Sequence, residues 1–318
     1  MQPKCPVAVR LGNAPRTVEE AAVGFLADCA ARNLSPATIE VNRIVLTALR
    51  DFLDNAHIAE VSTQDLRRFL IEKASSTSPA TAARYYDTLR RFFGFLEAEG
   101  FCSPNPMHGV RKPRAPIPII RPLSTEEIER LVAACDNRTF CGLRDKLALL
   151  ILVDCGLRAS ELCDLELSDV DIENRQFLVR RGKGNRSRRV PFGAAVLATL
   201  RQYLARRAEA ECPKLLVNVY GEPIDRHRLR AIVRNRARRA GVEHPHMGPH
   251  LLRHCCGIQL LRAGADVFTV QKVLGHATLV MTRRYCELAD SDVHEKHALF
   301  SPADRLRTAA TGTRRRLR

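Results

Sequence analysis

The segment from Gly248 to Tyr285 concentrates residues that could act together on one phosphate group. His250 and Arg253 are three positions apart, which places them on one face of a helix. A Leu-Gly-His sequence follows at 274–276, and Tyr285 comes nine residues after His276. A phenol with a pKa of about 10 is a poor nucleophile at neutral pH unless cations and a proton acceptor surround it. The segment contains both kinds of group and therefore favours chemistry at a tyrosine.

Two basic residues earlier in the chain fit the same chemistry. Arg158 follows the most apolar segment, 143–156, so it is expected either to bind an anion or to pair with a neighbour such as Glu161. Lys183 lies in a Gly-Lys-Gly-Asn turn between two short β-like runs, 176–181 and 186–190, which predicts a hairpin. A lysine whose pKa is lowered can act as a general acid, whereas an arginine cannot readily release a proton.

Other arginines suit binding to a phosphate backbone. The predicted hairpin carries Arg186 and Arg188, and a predicted helix at 226–240 carries seven arginines. Arg230, Arg234 and Arg238 are four positions apart and form a basic stripe, while the apolar residues of this helix occupy its other face. Because so many like charges on one helix repel each other, contact with phosphates is favoured over a merely solvated face.

The composition indicates a polyanionic partner. The chain has 318 residues, enough for about two domains, and a formal net charge of +16. Residues 1–105 contain 12 basic and 12 acidic residues, and the remainder contains 39 and 23, so the second part carries the whole excess. The eleven cysteines include no CxxC pair, which argues against a disulfide framework and a zinc ribbon. Without a long apolar run or a signal peptide, we expect a reduced, soluble, cytoplasmic protein.

The patterns predict two domains joined by a linker. Residues 1–16 are expected to be flexible, and 17–101 to form four helices that begin at Thr17, Ser35, Ser62 and Ser78. Residues 102–122 include six of the 17 prolines and several basic residues, which predicts an extended linker. The second domain, 123–300, begins at a capping box formed by Ser124 and Glu127, and 301–318 form a basic tail.

The 248–285 segment is open to three interpretations. A metal site would use the nearby histidines and Cys255, but no glutamate fits a metalloprotease helix and no cysteine pair closes a structural zinc site. A helix-turn-helix at 266–285 would explain the charge, but not His250, Arg253, Arg158 and Lys183. Phosphoryl transfer to Tyr285 gives each of these residues a role, because two arginines, a proton acceptor and an acid are what the transition state requires.

The motifs together resemble tyrosine recombinases of the phage-integrase and Xer type. The matching pieces, in order, are Gly-Leu-Arg-Ala-Ser-Glu-Leu at 156–162, Gly-Lys-Gly-Asn-Arg at 182–186, Pro-His-Leu-Leu-Arg-His at 249–254, Leu-Gly-His at 274–276 and Tyr285. The resemblance covers about 17–300. It implies a mainly α fold with a small antiparallel β-sheet, in which a helical SAM-like core-binding domain precedes the catalytic domain.

The resemblance also implies a role for each motif residue. Tyr285 attacks the scissile phosphate to give a 3′-phosphotyrosine and a free 5′-hydroxyl, and Lys183 protonates the leaving oxygen. The remaining roles concern the phosphate and the tyrosine proton: Arg158 and Arg253 hold the non-bridging oxygens, His250 takes the proton, and His276 hydrogen-bonds the phosphate. The family needs no metal and no cofactor.

The expected activity is site-specific recombination of double-stranded DNA at core sites, for integration, excision or resolution of DNA elements. The resemblance implies a homotetramer on two duplexes, with or without a paralogous recombinase, acting at the nucleoid and not at a membrane. Two alternatives share the fold. One is a DNA-binding regulator without turnover, and the other is a type IB topoisomerase-like relaxing activity.

Overall fold

The computed structural model describes residues 17–113, 121–180, 187–207 and 211–275, together with residues 297 and 301. The chain divides into two compact units, residues 1–119 and 120–318. Each unit has its own cluster of buried apolar side chains.

The first unit is a four-helix domain whose helices begin where the sequence predicts. The helices are α1 (Val18–Ala31), α2 (Pro36–Phe52), α3 (Thr63–Ser76) and α4 (Pro79–Ala98). The side chains of Thr17, Ser35, Ser62 and Ser78 each accept a backbone N–H in the first turn, so all four predicted N-caps are present. Phenylalanines of three of these helices pack in the core, among them Phe25, Phe69 and Phe92.

The segment predicted as a linker begins with residues that pack on this first unit. Pro106–Gly109 form a 3-10 turn in which Pro106 and Met107 are buried. The Thr63 hydroxyl donates to the Pro106 carbonyl at 2.9 Å, and Arg67 donates to the Gly109 carbonyl at 2.6 Å. The first unit therefore extends beyond residue 101, where the sequence placed its end.

The second unit is mainly helical and contains a three-stranded sheet, which confirms the predicted fold class. The helices are α5 (Thr125–Ala133), α6 (Phe140–Asp154), α7 (Ala159–Asp164), α8 (Ala194–Arg207), α9 (Arg226–Arg239), α10 (Pro249–Arg262) and α11 (Val267–Leu274). The strands are β1 (Val170–Asp171), β2 (Gln176–Val179) and β3 (Arg188–Pro191), antiparallel in the order β1-β2-β3. Phe177 on β2 is paired with Val170 on β1 and Val190 on β3.

Helix α6 is central to the second unit, as its apolar sequence predicts. It packs on α8, α9 and α10, and Leu147, Ile151 and Leu152 are fully buried. One ion-pair network accompanies this packing: the buried carboxylate of Asp145 accepts hydrogen bonds from Arg144 and from Arg236 of α9. Because a charge isolated in the core would be costly, these pairings allow polar side chains at the α6–α9 contact.

Helix α11 ends at Leu274, the first residue of the Leu-Gly-His sequence. Gly275 caps the helix with φ +63°, a left-handed conformation that glycine adopts without a steric penalty. The second helix of the helix-turn-helix alternative lies outside the described residues. In the described part of the chain, none of the helices combines the length and hydropathy that a bilayer span would require.

Candidate active site

Arg158 is positioned by the turn between α6 and α7. Gly156, with φ +58°, reverses the chain after α6, and Arg158 then occupies the N-cap position of α7. Its backbone N–H donates to Oε2 of Glu161 at 2.9 Å, and its Nη1 donates to Oε1 at 2.7 Å. Nη2 donates to the carbonyl of Gly275 at 2.9 Å. The side chain remains 26% exposed, so part of the guanidinium faces solvent.

Arg253 lies on α10 and meets the same group of residues from the other side. Its side chain is only 3% exposed. Nη1 donates to the carbonyl of Gly156 at 2.5 Å, and Nη2 donates to the carbonyl of Leu274 at 2.6 Å. The carboxylate of Glu161 is 4.0 Å from Nη1. The two arginines that the sequence predicts as phosphate ligands therefore converge on one carboxylate and on the C-terminal end of α11.

His250 lies one turn before Arg253, near the N-terminus of α10. The residue lies at the surface, but the protein atoms around the ring partly exclude water from it. This desolvation, and then the positive charges of Arg253 and Arg158, lower the pKa of His250 below its ordinary value. The lowered pKa favours the neutral imidazole, which is the form that can accept a proton.

Glu161 is the centre of the cluster. Burial alone would raise its pKa, but the hydrogen bonds and charge of Arg188, together with the hydrogen bonds of Arg158, outweigh burial and lower the pKa to about 2. The carboxylate is therefore ionised at neutral pH. It neutralises part of the positive charge and fixes the geometry of the arginines. The sequence indicated Glu161 only as one possible partner of Arg158. Its other partners, Arg188 and Arg253, are distant from it in the chain.

Arg188 faces inward, toward this carboxylate. It donates to Oε1 and Oε2 of Glu161 at 2.9 and 2.8 Å, and its side chain is 15% exposed. The sequence placed Arg188 among the DNA contacts, and this geometry does not support that prediction. The alternation of side chains along β3 could have indicated the inward orientation, because Arg188 shares a face with the buried Val190.

The basic stripe on α9 has the orientation that the helical period predicts. Arg230, Arg234 and Arg238 are exposed, and the opposite face is buried in the core. A Cβ built at Gly248, the N-cap of α10, would lie 3.8 Å from Nε of Arg230. The stripe thus begins close to the N-terminus of α10, two residues from His250. Arg236, by contrast, points inward to Asp145.

Four predicted residues lie outside the described part of the chain: Lys183, Arg186, His276 and Tyr285. The structure therefore does not test whether they join the cluster. Gly275, whose carbonyl accepts from Arg158, directly precedes His276 in the sequence.

The histidines that suggested a metal site have other surroundings. A ring nitrogen of His244 lies 3.0 Å from the carbonyl oxygen of Arg121, and the backbone N–H of His246 donates to the His244 ring. Within the described ranges, no three His, Cys, Asp or Glu side chains are grouped so that they could hold a metal ion.

Comparison with known proteins connects this geometry to a family. Residues 121–292 match the phage integrase family, and residues 23–100 match the SAM-like N-terminal domain of phage integrases. The chain belongs to the phage integrase family of tyrosine recombinases. A tyrosine recombinase XerC of Oceanobacillus iheyensis is 32% identical over 282 residues, which cover 85% of this chain and 92% of the relative. A tyrosine recombinase XerD of Proteus mirabilis is 34% identical over 280 residues, with 85% and 89% covered.

Solved structures show the same tyrosine recombinase fold. The Tn1549 transposon integrase in complex with a circular intermediate DNA has a TM-score of 0.73, with 19% identity, and 85% of this chain and 95% of that chain are covered. The XerH site-specific recombinase bound to its palindromic difH substrate has a TM-score of 0.69, with 21% identity and coverages of 88% and 85%. The predicted family, enzyme class and fold are thus confirmed.

Proposed function

We propose that this tyrosine recombinase cuts and rejoins double-stranded DNA at specific core sites through a 3′-phosphotyrosine on Tyr285. The observation that carries the proposal is the convergence of Arg158 and Arg253 on Glu161, with His250 one turn away on α10. Two fixed guanidinium groups match the two non-bridging oxygens of a phosphodiester, whose negative charge increases in the transition state.

The reaction distributes protons among side chains without a metal or a cofactor. The Tyr285 oxygen attacks phosphorus while its proton passes to His250, which is neutral at pH 7 because its pKa is lowered. The bond between phosphorus and the 5′-oxygen breaks, and Lys183 gives that oxygen a proton. His276 donates a hydrogen bond to the phosphate. Rejoining is the reverse reaction with the 5′-hydroxyl of another strand, so the ester conserves the energy of the broken bond.

The choice of Tyr285 is supported by the surroundings of the other four tyrosines. Tyr85 packs against Phe69, and the Tyr86 hydroxyl donates to the carbonyl of Val110. Tyr203 is completely buried, and Tyr220 is 84% exposed. Neither of these last two has a place in the arginine cluster, whereas Tyr285 follows Gly275 in the chain by only ten residues.

Contact with DNA is assigned to the exposed arginines of α9, namely Arg230, Arg234 and Arg238, and to Arg186. The relatives and structural neighbours that are recombinases support DNA as the partner. The finer assembly, a homotetramer on two duplexes with or without a paralogous recombinase, is part of this proposal, as is action at the nucleoid.

The proposal is tested by trapping the covalent intermediate. DNA joined to the protein in expressing cells is recovered and sequenced, and a duplex of that sequence is prepared with a nick beside the cleavage point. Diffusion of the short cleaved fragment prevents rejoining, so the wild-type protein should accumulate a covalent adduct. Tyr285→Phe should form none, whereas Tyr220→Phe should behave as wild type. An adduct formed by Tyr285→Phe would exclude Tyr285 as the nucleophile.

A further inference from the structure

Arg188 makes contacts with two separate parts of the candidate active site. Nη1 and Nη2 donate to the two oxygens of Glu161 at 2.9 and 2.8 Å, a bidentate geometry that fixes the orientation of the carboxylate. Nε lies 3.3 Å from the carbonyl oxygen of Val273, in the last turn of α11. A Cβ built at Gly275 would lie 2.8 Å from the guanidinium carbon of Arg188, so the guanidinium packs directly on the cap of α11.

These contacts leave Arg188 poorly placed to bind DNA. Only 15% of its side chain is exposed, and both terminal nitrogens already donate to Glu161. A contact with a DNA phosphate would require Arg188 to give up a buried carboxylate that would then lose its main partner. The next residue, Arg189, has the opposite orientation: its side chain is 61% exposed and lies 3.8 Å from Asp171.

We propose that Arg188 is a positioning residue for DNA cleavage, which holds Glu161 against Arg158 and fixes the end of α11 beside the arginine cluster. The assignment rests on the proposed function. Arg188 lies on β3, the strand that follows the turn with Lys183. From there its side chain contacts Glu161 in the 158–161 turn and the end of α11, which leads to His276.

The charge balance explains why this position matters. Three arginines, Arg158, Arg188 and Arg253, surround the single carboxylate of Glu161. Without Arg188, burial would favour protonation of Glu161, and a neutral Glu161 would hold Arg158 more weakly. Misplacement of a substrate-binding group by about 1 Å can slow a reaction on the order of 100-fold, although DNA remains bound.

The test compares Arg188→Met with Arg189→Met, two substitutions of the same kind on adjacent residues of one strand. The nicked duplex prepared from recovered DNA is the substrate. We expect Arg188→Met to form the covalent adduct roughly 10- to 100-fold more slowly than wild type. Its affinity for the duplex in band shifts should stay within about twofold, with an unchanged salt dependence, because no phosphate contact is lost. Arg189→Met should cleave at the wild-type rate.

Two further measurements distinguish positioning from general destabilisation. As pH falls, Arg188→Met should lose its cleavage rate at a higher pH than the wild type, because Glu161 must be ionised and has lost the guanidinium that keeps its pKa low. Arg188→Lys, which keeps the charge and is less disruptive to folding, should restore part of the rate. The double variant Arg188→Met/Glu161→Gln should be slowed by less than the product of the two separate factors, because both changes remove the same contact.

Two results would overturn the inference. One is cleavage by Arg188→Met and Arg188→Lys at the rate of Arg189→Met. The other is a fall in DNA affinity together with a weaker salt dependence. A slope of log K against log salt concentration that is smaller by about one would identify a phosphate contact. Failure of the proposed function is a different result, since the wild-type protein itself would then form no adduct.

Discussion

Nη2 of Arg158 donates a hydrogen bond of 2.9 Å to the carbonyl oxygen of Gly275, which lies 117 positions later in the chain. Carbonyl groups at the end of a helix carry partial negative charge, so this contact stabilises the arginine when no phosphate is present. A phosphate oxygen is a stronger acceptor than a carbonyl oxygen, because the hydrogen bond is then formed between two charged groups. In the proposed function, a phosphate oxygen would therefore replace the carbonyl as the partner of Nη2, and the guanidinium would be paired both before and after DNA binds.

Arg253→Lys should abolish most cleavage while leaving the protein able to bind DNA. A lysine retains the charge but cannot donate to the Gly156 and Leu274 carbonyls and to a phosphate in fixed directions. We expect the rate of adduct formation to fall by about 100-fold or more, as for loss of one oxyanion ligand. Arg262→Lys, an exposed change in the last turn of the same helix, is the control. Equal rates for the two variants would exclude Arg253 as a ligand of the phosphate.

Gly275→Ala should be more harmful than Gly241→Ala. Both glycines have φ +63°, so both substitutions introduce the same backbone strain. At Gly241 the new methyl group meets no atom within 4 Å, whereas at Gly275 it would lie 2.8 Å from Arg188. We expect each change to cost about 1 kcal/mol in stability from the strain.

Only Gly275→Ala should also slow adduct formation, by an expected factor of roughly 10 or more, since it displaces a positioning residue. Thermal melts and cleavage rates of the two variants provide the comparison. Equal losses of activity would mean that the α11 cap does not influence the arginine cluster.

The pH dependence of cleavage should reflect His250. Because its pKa is lowered, His250 stays neutral as pH falls through the ordinary histidine range and gains a proton only at more acidic pH. The wild-type cleavage rate should therefore stay constant through the ordinary histidine range and fall only at more acidic pH, where the proton acceptor becomes protonated. His250→Gln should be slower throughout and lack this acid limb. His246→Gln should keep it, and an unchanged limb in His250→Gln would assign it to another group.

The arginines of α9 should separate into two classes. Arg230→Ala and Arg234→Ala should each weaken binding to any duplex and reduce the salt slope by about one, as expected for loss of a phosphate contact. Arg236→Ala should instead lower stability by roughly 1–3 kcal/mol, because it removes one of the two arginines that pair with the buried Asp145. Band shifts at several salt concentrations, together with denaturant unfolding, distinguish the two classes. A smaller salt slope for Arg236→Ala would contradict its inward orientation.

Local signals in the sequence predicted much of this structure. Four serine or threonine caps in the first unit and the Ser124–Glu127 capping box are present at the expected residues. These features depend on side chains within one helical turn, so they can be recognised without knowledge of the tertiary fold. The fold class and the family followed from motifs of the same local kind.

Two inward arginines were missed although their strand or helix period contained the signal. Arg236 lies three positions after Val233 and so falls on the buried face of α9, and Arg188 shares the face of Val190. A charged side chain on an apolar face becomes acceptable only if a buried partner exists. The partners, Asp145 and Glu161, are 91 and 27 positions away, and spacing along a single element cannot identify them.

The link between Glu161, its arginines and the end of α11 has a consequence for the safety of a DNA-cutting enzyme. Arg158, Arg188 and Arg253 share Glu161 as a partner, and the turns and helices that carry these residues meet only in the folded protein. A partly opened second unit would lose this arrangement as a whole, because Gly156, Leu274 and Gly275 supply acceptors from both sides of the cluster. Damaged or incompletely folded copies would thus be expected to lose the ability to cut DNA.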